Sequence, residues 1–451
     1  MTTLRRSLTA AAMTLAITVP GAMLPADAAP ADAAPADGQR KTAASHRAKP
    51  KPAPTATVTT DNETPTLYDD KAGGNASGDD PAIWVDARHS ANSLVIVTAK
   101  KGGLRVYDMH DRELQSLPAS ALPNPGRYNN VDIAYGVRVA GRIVDLAVVS
   151  DRYNDSLRFF TIDRAGARAK TPLREVTSPK HDYLFVKDAA ELADEHTAYG
   201  LAVWQNGRDT YAVVTQEGTT RLALARVVAK RDGTVGYEKV RTWTMPASFT
   251  LPNGKTWTPC EEPGVGPQLE GVSVDRKTGT LYAAQEDVGL WRIELTRPYA
   301  RPVLVDRTTT FGTPATFDAK TEECVAGPDA GFGGRIVADA EGVDLYYGRG
   351  KTGYVVVSAQ GSDEFLVYER QGRNRYAGKF KVAGTGGVDD INGSDGLAIA
   401  SRPVGEYTRG LLVTHDEPDT GPSVDADRDP TNFSYVQWGD VADALHLKHS
   451  R

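Results

Sequence analysis

Three short stretches of the chain place an acid and a glycine directly ahead of an apolar run: QLEGVSVD (268–275), ADAEGVDLYYG (338–348) and GSDGLAIA (393–400). DDPAIW (79–84) and NNVDI (129–133) open further runs with side-chain oxygens. Carboxylates gathered at one place repel one another unless protons or cations neutralise them. The oxygens on offer come from Asp, Glu, Asn and Gln, with no Cys and only His415, beside Asp416, among the softer ligands. That donor set favours Ca2+ over Zn2+. No twelve-residue EF-hand loop is present, so such sites would have to be assembled from separate segments. Lys100 and Arg152 fall at comparable places and add fixed positive charge. Acids that hold cations, beside fixed cations, suit a substrate rich in phosphate.

The elements that must position these groups repeat. Six segments, beginning at Asp79, Asn129, Ala198, Leu269, Ala340 and Ser394, mostly read as a short strand, a turn with glycine, a second apolar strand, a polar loop and a third strand. A multi-strand unit repeated at this spacing is the signature of a β-propeller, and the all-β reading is of six blades. β-branched and aromatic residues crowd the strands (SLVIVT, IVDLAVV, YVVVS), and no comparable helical periodicity competes. A pair of β-sandwiches is the rival architecture and needs no six-fold register.

In an antiparallel hairpin the start of the first strand and the end of the second lie at one end, so every blade delivers two positions to one mouth. The first column reads Asp80, Asp132, Tyr199, Glu270, Glu341 and Asp395. The second reads Lys100, Arg152, Gln216 with Glu217, Glu286, Gln360 and Asp416. The glycine after several of the acids leaves the mouth unobstructed.

The flanks carry other information. Residues 1–28 combine Arg5 and Arg6, an apolar stretch interrupted by Pro20, and the small-residue site Ala26-Asp27-Ala28, which reads as an export signal rather than a membrane anchor. Residues 29–56 are Ala/Pro-rich and then basic, a leader expected to be disordered, and the propeller is expected over 57–451. The formal charge of −6 becomes more negative once the signal is removed, which argues against nucleic acid as a partner. The two cysteines of an exported chain, Cys260 and Cys324, are expected to form a disulfide between two Pro/Gly-rich loops. A secreted monomer without a membrane anchor is expected.

From about Thr66 to Leu445 the chain also resembles the β-propeller phytases, secreted calcium-dependent enzymes that remove phosphate from inositol hexakisphosphate. The resemblance rests on DDPAIW, TAKKGGLRVYD, NNVDI, AYG, EGVSVD, AAQED, DAEGVDLYY, SAQGSDEFLVYERQGRN, SDG and NFSYVQWGDVADAL in combination. It implies that Asp80, Glu270, Asp339, Glu341 and Asp389 form a calcium cluster at the cleavage site, with Glu286 and Gln360 in or beside it. It assigns Asp79, Asn129, Asn130 and the backbone of Val131 to neighbouring calcium positions, and keeps Asp395 as a family aspartate. Glu270, Asp339, Glu341 and Asp389 would be the catalytic set, with Lys100, Arg152 and Tyr199 gripping substrate phosphates. The implied chemistry is attack by a water held at several Ca2+ ions, on phytate or its calcium salt, without a covalent phosphoenzyme. Where the family often has a phosphate-binding lysine, this chain reads Thr215-Gln216-Glu217-Gly218, and Arg221 is the candidate substitute. The cysteine-bearing loops are longer than in the family pattern and receive no catalytic task. A lactonase-type calcium-dependent propeller hydrolase and a non-catalytic binding propeller are the alternatives.

Overall fold

The computed structural model describes residues 52–448 apart from 122, 181 and 298. The expected signal (1–28) and the leader up to residue 51 therefore lie outside the described residues. Six antiparallel sheets of four strands form the blades of a propeller. Their inner strands are Pro81–Trp84, Tyr128–Val139, Ala198–Asn206, Leu269–Asp275, Ala340–Tyr347 and Leu397–Ala400, which we number blades 1 to 6. Each inner strand packs on that of the next blade, and the sixth returns to the first, so the ring closes around a central channel.

The second strand of several blades is buried throughout, as in Leu94–Thr98, Thr280–Gln285, Gly353–Ala359 and Leu411–Asp416. This is why those strands read as continuous apolar runs rather than as alternating ones. Adjacent blades then share cores: Trp204 of blade 3 and Trp291 of blade 4 lie in one buried cluster, and Trp84 lies in the cluster between blades 1 and 2. All three tryptophans pack blades rather than offering an open platform.

Closure uses the N-terminal segment. Leu67–Tyr68 pairs antiparallel with Pro430–Gln437 and completes blade 6, so strands from both ends of the chain share one sheet. Ahead of it, Thr55–Thr60 adds a fifth, parallel strand to the outside of blade 5, from Thr55↔Lys379 to Thr60↔Gly384. Ordered strand thus begins at Thr55, inside the stretch assigned to the leader. A short helix, Trp438–Ala444, ends the domain with Trp438 buried and stacked on Tyr346 at 4.6 Å between ring centroids.

Two hairpins stand outside the blades: Phe249–Thr250 with Thr256–Trp257, and Ala315–Asp318 with Glu323–Ala326. Cys260 and Cys324 form the expected disulfide and tie the loop after the first hairpin to the second.

Candidate metal centre and phosphate-binding mouth

The acid-glycine pairs owe their direction to a repeated irregularity. In blade 4 the pairing jumps from Leu269↔Gln285 to Val272↔Ala283, leaving one extra residue on the inner strand, and blade 5 does the same between Ala340↔Ala359 and Val343↔Val357. Blade 3 repeats it between Ala198 and Leu201, and blade 2 between Tyr128 and Val131. These are β-bulges, which bend a strand and re-aim a side chain. They fall on Glu270, Glu341, Tyr199 and the Asn129-Asn130 pair, and this is how a carboxylate can open an otherwise buried strand.

The glycine that follows has a different task from keeping the mouth open. A Cβ on Gly271 would stand 2.2 Å from the carbonyl oxygen of Glu341, one on Gly342 2.4 Å from that of Asp395, and one on Gly396 2.7 Å from that of Asp79. Each glycine lets the next blade's backbone approach, and Gly342 N–H donates to Asp395 O at 2.7 Å. The acids are thereby drawn into one ring.

Glu270, Glu286 and Glu341 each bring a carboxylate oxygen within 4.8 Å of the other two. Glu341 is 5% exposed and Glu270 8%. Burial first, then repulsion from Glu286 and Glu270, holds Glu341 well above the usual carboxylate range. Burial and repulsion from Glu270 and Asp339 do the same to Glu286. Asp339, next to the trio, is pushed up to about 6 by burial, Asp287 and Glu270. Glu286 Oε1 and Glu341 Oε2 are buried without a hydrogen-bond partner among the described residues. Such oxygens fit a hard cation, which would satisfy them and remove the repulsion.

The neighbouring positions knit blades together. Asn129 Nδ2 donates to Glu270 Oε1 at 2.8 Å, to Asn130 Oδ1 at 2.9 Å and to Asp79 Oδ1 at 3.4 Å. Asp79 is pushed up to about 7 by burial and Glu270, against the pull of Lys100, Arg127 and Arg152. Asp80 accepts the Val131 N–H at 2.9 Å, and burial holds it well above its ordinary range. Gln360 Nε2 donates to Asp395 Oδ1 at 2.5 Å.

Lys100 stands among Asp79, Asp395 and Glu417. Arg152 forms ion pairs with Glu217 and Glu195 and lies 5.3 Å from the Tyr199 ring centroid. Tyr199 is itself half-buried beside Glu270, Glu286, Glu341 and Asp79. Tyr199 and Arg152 therefore border the acidic trio, and Lys100 stands one step away, beside Asp79. Gln216 turns away: Nε2 donates to His196 O at 2.6 Å and Oε1 accepts from Thr219 at 2.9 Å. Arg221 packs over Phe185, 5.7 Å from the ring centroid.

Two expected positions differ. Asp132 is not a mouth residue: the bulge puts Asn129 at the position of Glu270 and Glu341, and Asp132 sits further down the strand, at the position of Asp344, accepting the Val203 N–H at 2.6 Å. Asp344 in blade 5 does the same for Ile399 N–H at 2.6 Å, so both line the channel wall and cap the next blade. Asp389 belongs to another cluster, with Glu63 and Asp419, rather than to the trio. Its Oδ2 accepts from the N–H and hydroxyl of Thr420, both at 2.5 Å.

That second cluster lies where the ring closes. Asp416, pushed up to about 9 chiefly by burial, borders it, and Asn432 donates to Glu63 at 3.0 Å. Asp389 Oδ1, Asp416 Oδ2 and Asn432 Oδ1 find no partner among the described residues, although Asp416 and Asn432 are 0% exposed. Sequence reading missed Glu63, Asp419 and Asn432, which sit outside the strand-start columns. It also missed Glu261, beside Cys260, whose carboxyl lies against that of Asp287 next to Asp339, so the disulfide-tied loop reaches the mouth. A third grouping, Asp395, His415 and Glu417, lies on blade 6, where burial, then Lys100, pushes His415 down to about 3.

The chain is 28% identical over 389 residues to a 3-phytase of Bacillus subtilis (strain 168), covering 84% of each chain. Among solved structures it is similar to an Agrobacterium tumefaciens regucalcin described as calcium-binding (10% identity, 85% of this chain and 96% of that one, TM-score 0.42). The Malassezia sympodialis allergen Mala s 1 is similar too (14%, 80% and 93%, TM-score 0.38). Likenesses this distant carry no argument about the site. The phytase family model matches residues 38–250 and 260–450, and the chain belongs to the phytase family.

Proposed function

We propose that the protein releases phosphate from phytate (inositol hexakisphosphate) at this mouth, with Ca2+ as the metal. The observation that carries the reading is the convergence of the Glu270–Glu286–Glu341 trio with Lys100, Arg152 and Tyr199, in a chain of the phytase family. Hard oxygen donors, several of them buried and without partners, support calcium over a softer ion. Bound calcium would polarise the phosphoryl oxygens and offset charge in the transition state.

Glu270, Glu286, Asp339 and Glu341 would hold the ions that act on the scissile phosphate. Asp79, Asp80, Asn129, Asn130, the Val131 backbone, Gln360 and Asp395 line the adjoining positions. Asp389 serves at the closure cluster instead. Lys100 presents an ammonium to the phosphate. The Arg152 guanidinium is already engaged by Glu217 and Glu195, so an arriving phosphate competes with carboxylates for it. Tyr199 walls the site and orients the ester. Water is the nucleophile, and no covalent phosphoenzyme forms.

Residues 1–28 act as an export signal, and the disulfide fits an oxidising compartment. No described helix is long and apolar enough to cross a membrane. The protein works as a secreted monomer. Phosphate release from phytate, measured with calcium and with chelator, tests the reading, with a lactone as competing substrate. Hydrolysis of the lactone alone, or phosphate release that chelator leaves untouched, would sink it.

A further inference from the structure

The mouth holds one cation that the strand-start columns pass over. Arg127 precedes blade 2 by a single residue. Its N–H donates to Asp151 Oδ1 at 3.2 Å, and its carbonyl accepts the Arg152 N–H at 2.8 Å, so its backbone is fixed beside an expected phosphate grip. The guanidinium is fixed as well, by neutral groups. Nε donates to Asn75 Oδ1 at 3.0 Å and Nη1 to Asn129 Oδ1 at 3.2 Å, and Asn129 in turn contacts Glu270 and Asp79.

This contrasts with Arg152, which has two carboxylate partners. Among the described residues Arg127 makes no ion pair. It nevertheless stands close enough to Lys100 and Arg152 for like-charge repulsion with both, and all three act on Asp79. A planar fork held by two amide oxygens, with no ion pair of its own among the described residues and beside two other cations, is preorganised for an anion with several oxygens. Meanwhile Gln216 points its amide at His196 and Thr219, and Arg221 lies over Phe185, so neither brings charge to this side of the mouth.

We infer that Arg127 binds a substrate phosphate adjacent to the one being cleaved, so that Lys100, Arg127 and Arg152 together select a polyphosphorylated substrate over a single phosphate ester. This rests on the phytate reading above and specifies the residue that reads the second phosphate. The competing role is purely structural, with Arg127 doing no more than hold Asn129.

The test compares wild type, Arg127→Ala and Arg127→Lys at saturating calcium, on phytate and on p-nitrophenyl phosphate, with calorimetric titration of non-hydrolysable inositol hexasulfate. Arg127→Ala should raise KM for phytate and weaken hexasulfate binding about tenfold each, leave kcat within about twofold, and be partly rescued by Arg127→Lys. Activity on p-nitrophenyl phosphate and the calcium-dependent rise in melting temperature should stay as in wild type. An unchanged KM and hexasulfate Kd would overturn the inference. So would equal losses on both substrates together with a lost calcium response, which would mark Arg127 as a prop for Asn129. A wild type inactive on phytate would count against the phytate reading, whereas the hexasulfate titration judges Arg127 independently.

Discussion

Two acidic clusters share the upper end of the propeller and are built in opposite ways. The trio at the mouth takes Glu270 and Glu341 from the same bulge in consecutive blades and Glu286 from the end of a second strand. The closure cluster takes Glu63 from the N-terminal segment, Asp389 from the loop ahead of blade 6 and Asp419 from within it. One is a product of repetition, the other of the chain's two ends meeting. The first faces Tyr199 and Arg152; the second lies beside the strands that join residues 67–68 to 430–437. A cation at the trio would therefore act mainly on the reaction, and a cation at the closure cluster mainly on the free energy of closing the ring.

The largest expected effect separates them directly. Glu341→Gln keeps the size of the side chain and removes its charge, and kcat on phytate should fall by about a hundredfold to a thousandfold, as when a transition-state charge partner is lost. The calcium-dependent part of the melting temperature should largely survive. Near-normal kcat would return Glu341 to the status of a turn residue.

Asp419→Asn should show the reverse pattern. An ion present at a few hundred times its Kd and bound only to the folded state adds about 3 kcal/mol. Most of that calcium-dependent stability should vanish while kcat changes little. If calcium raises the melting temperatures of wild type and variant equally, the closure cluster is not a calcium site.

The smallest effect is one of pH and applies to both clusters without metal. Asp339 at about 6, Asp79 and Glu63 at about 7 and Asp416 at about 9 hold their protons more tightly folded than unfolded. Their contribution to stability is therefore full below the ordinary values of 3.8 and 4.5 and is lost as pH rises through about 6 to 9. In chelator the melting temperature should fall between pH 5.5 and 8, and saturating calcium should flatten or reverse that trend. A chelated protein more stable at pH 8 than at pH 5.5 would contradict the burial of these carboxylates.

Much of this was legible in the chain. The recurrence of an acid, a glycine and an apolar run located three of the six inner strands at their mouths, because a repeated fold forces repeated local chemistry. Asp132 shows where pattern alone misleads: its column depends on a bulge of one residue, and nothing in NNVDI says which residue the bulge absorbs. The glycines were visible, yet their reason, a neighbouring carbonyl within 2.2 to 2.7 Å of where a Cβ would stand, belongs to the packing between blades.

By itself the sequence determined the six-fold strand repeat, the pairing of its only two cysteines and the family, since these depend on local pattern, composition and recurring motifs. Only the tertiary structure decided that Asp389 joins Glu63 and Asp419, that Glu261 reaches Asp287, and that Arg127 is held between Asn75 and Asn129. Those contacts join loops and chain ends that share no repeat. Their partners are fixed by how the ring closes, and ring closure is a property of all six blades at once.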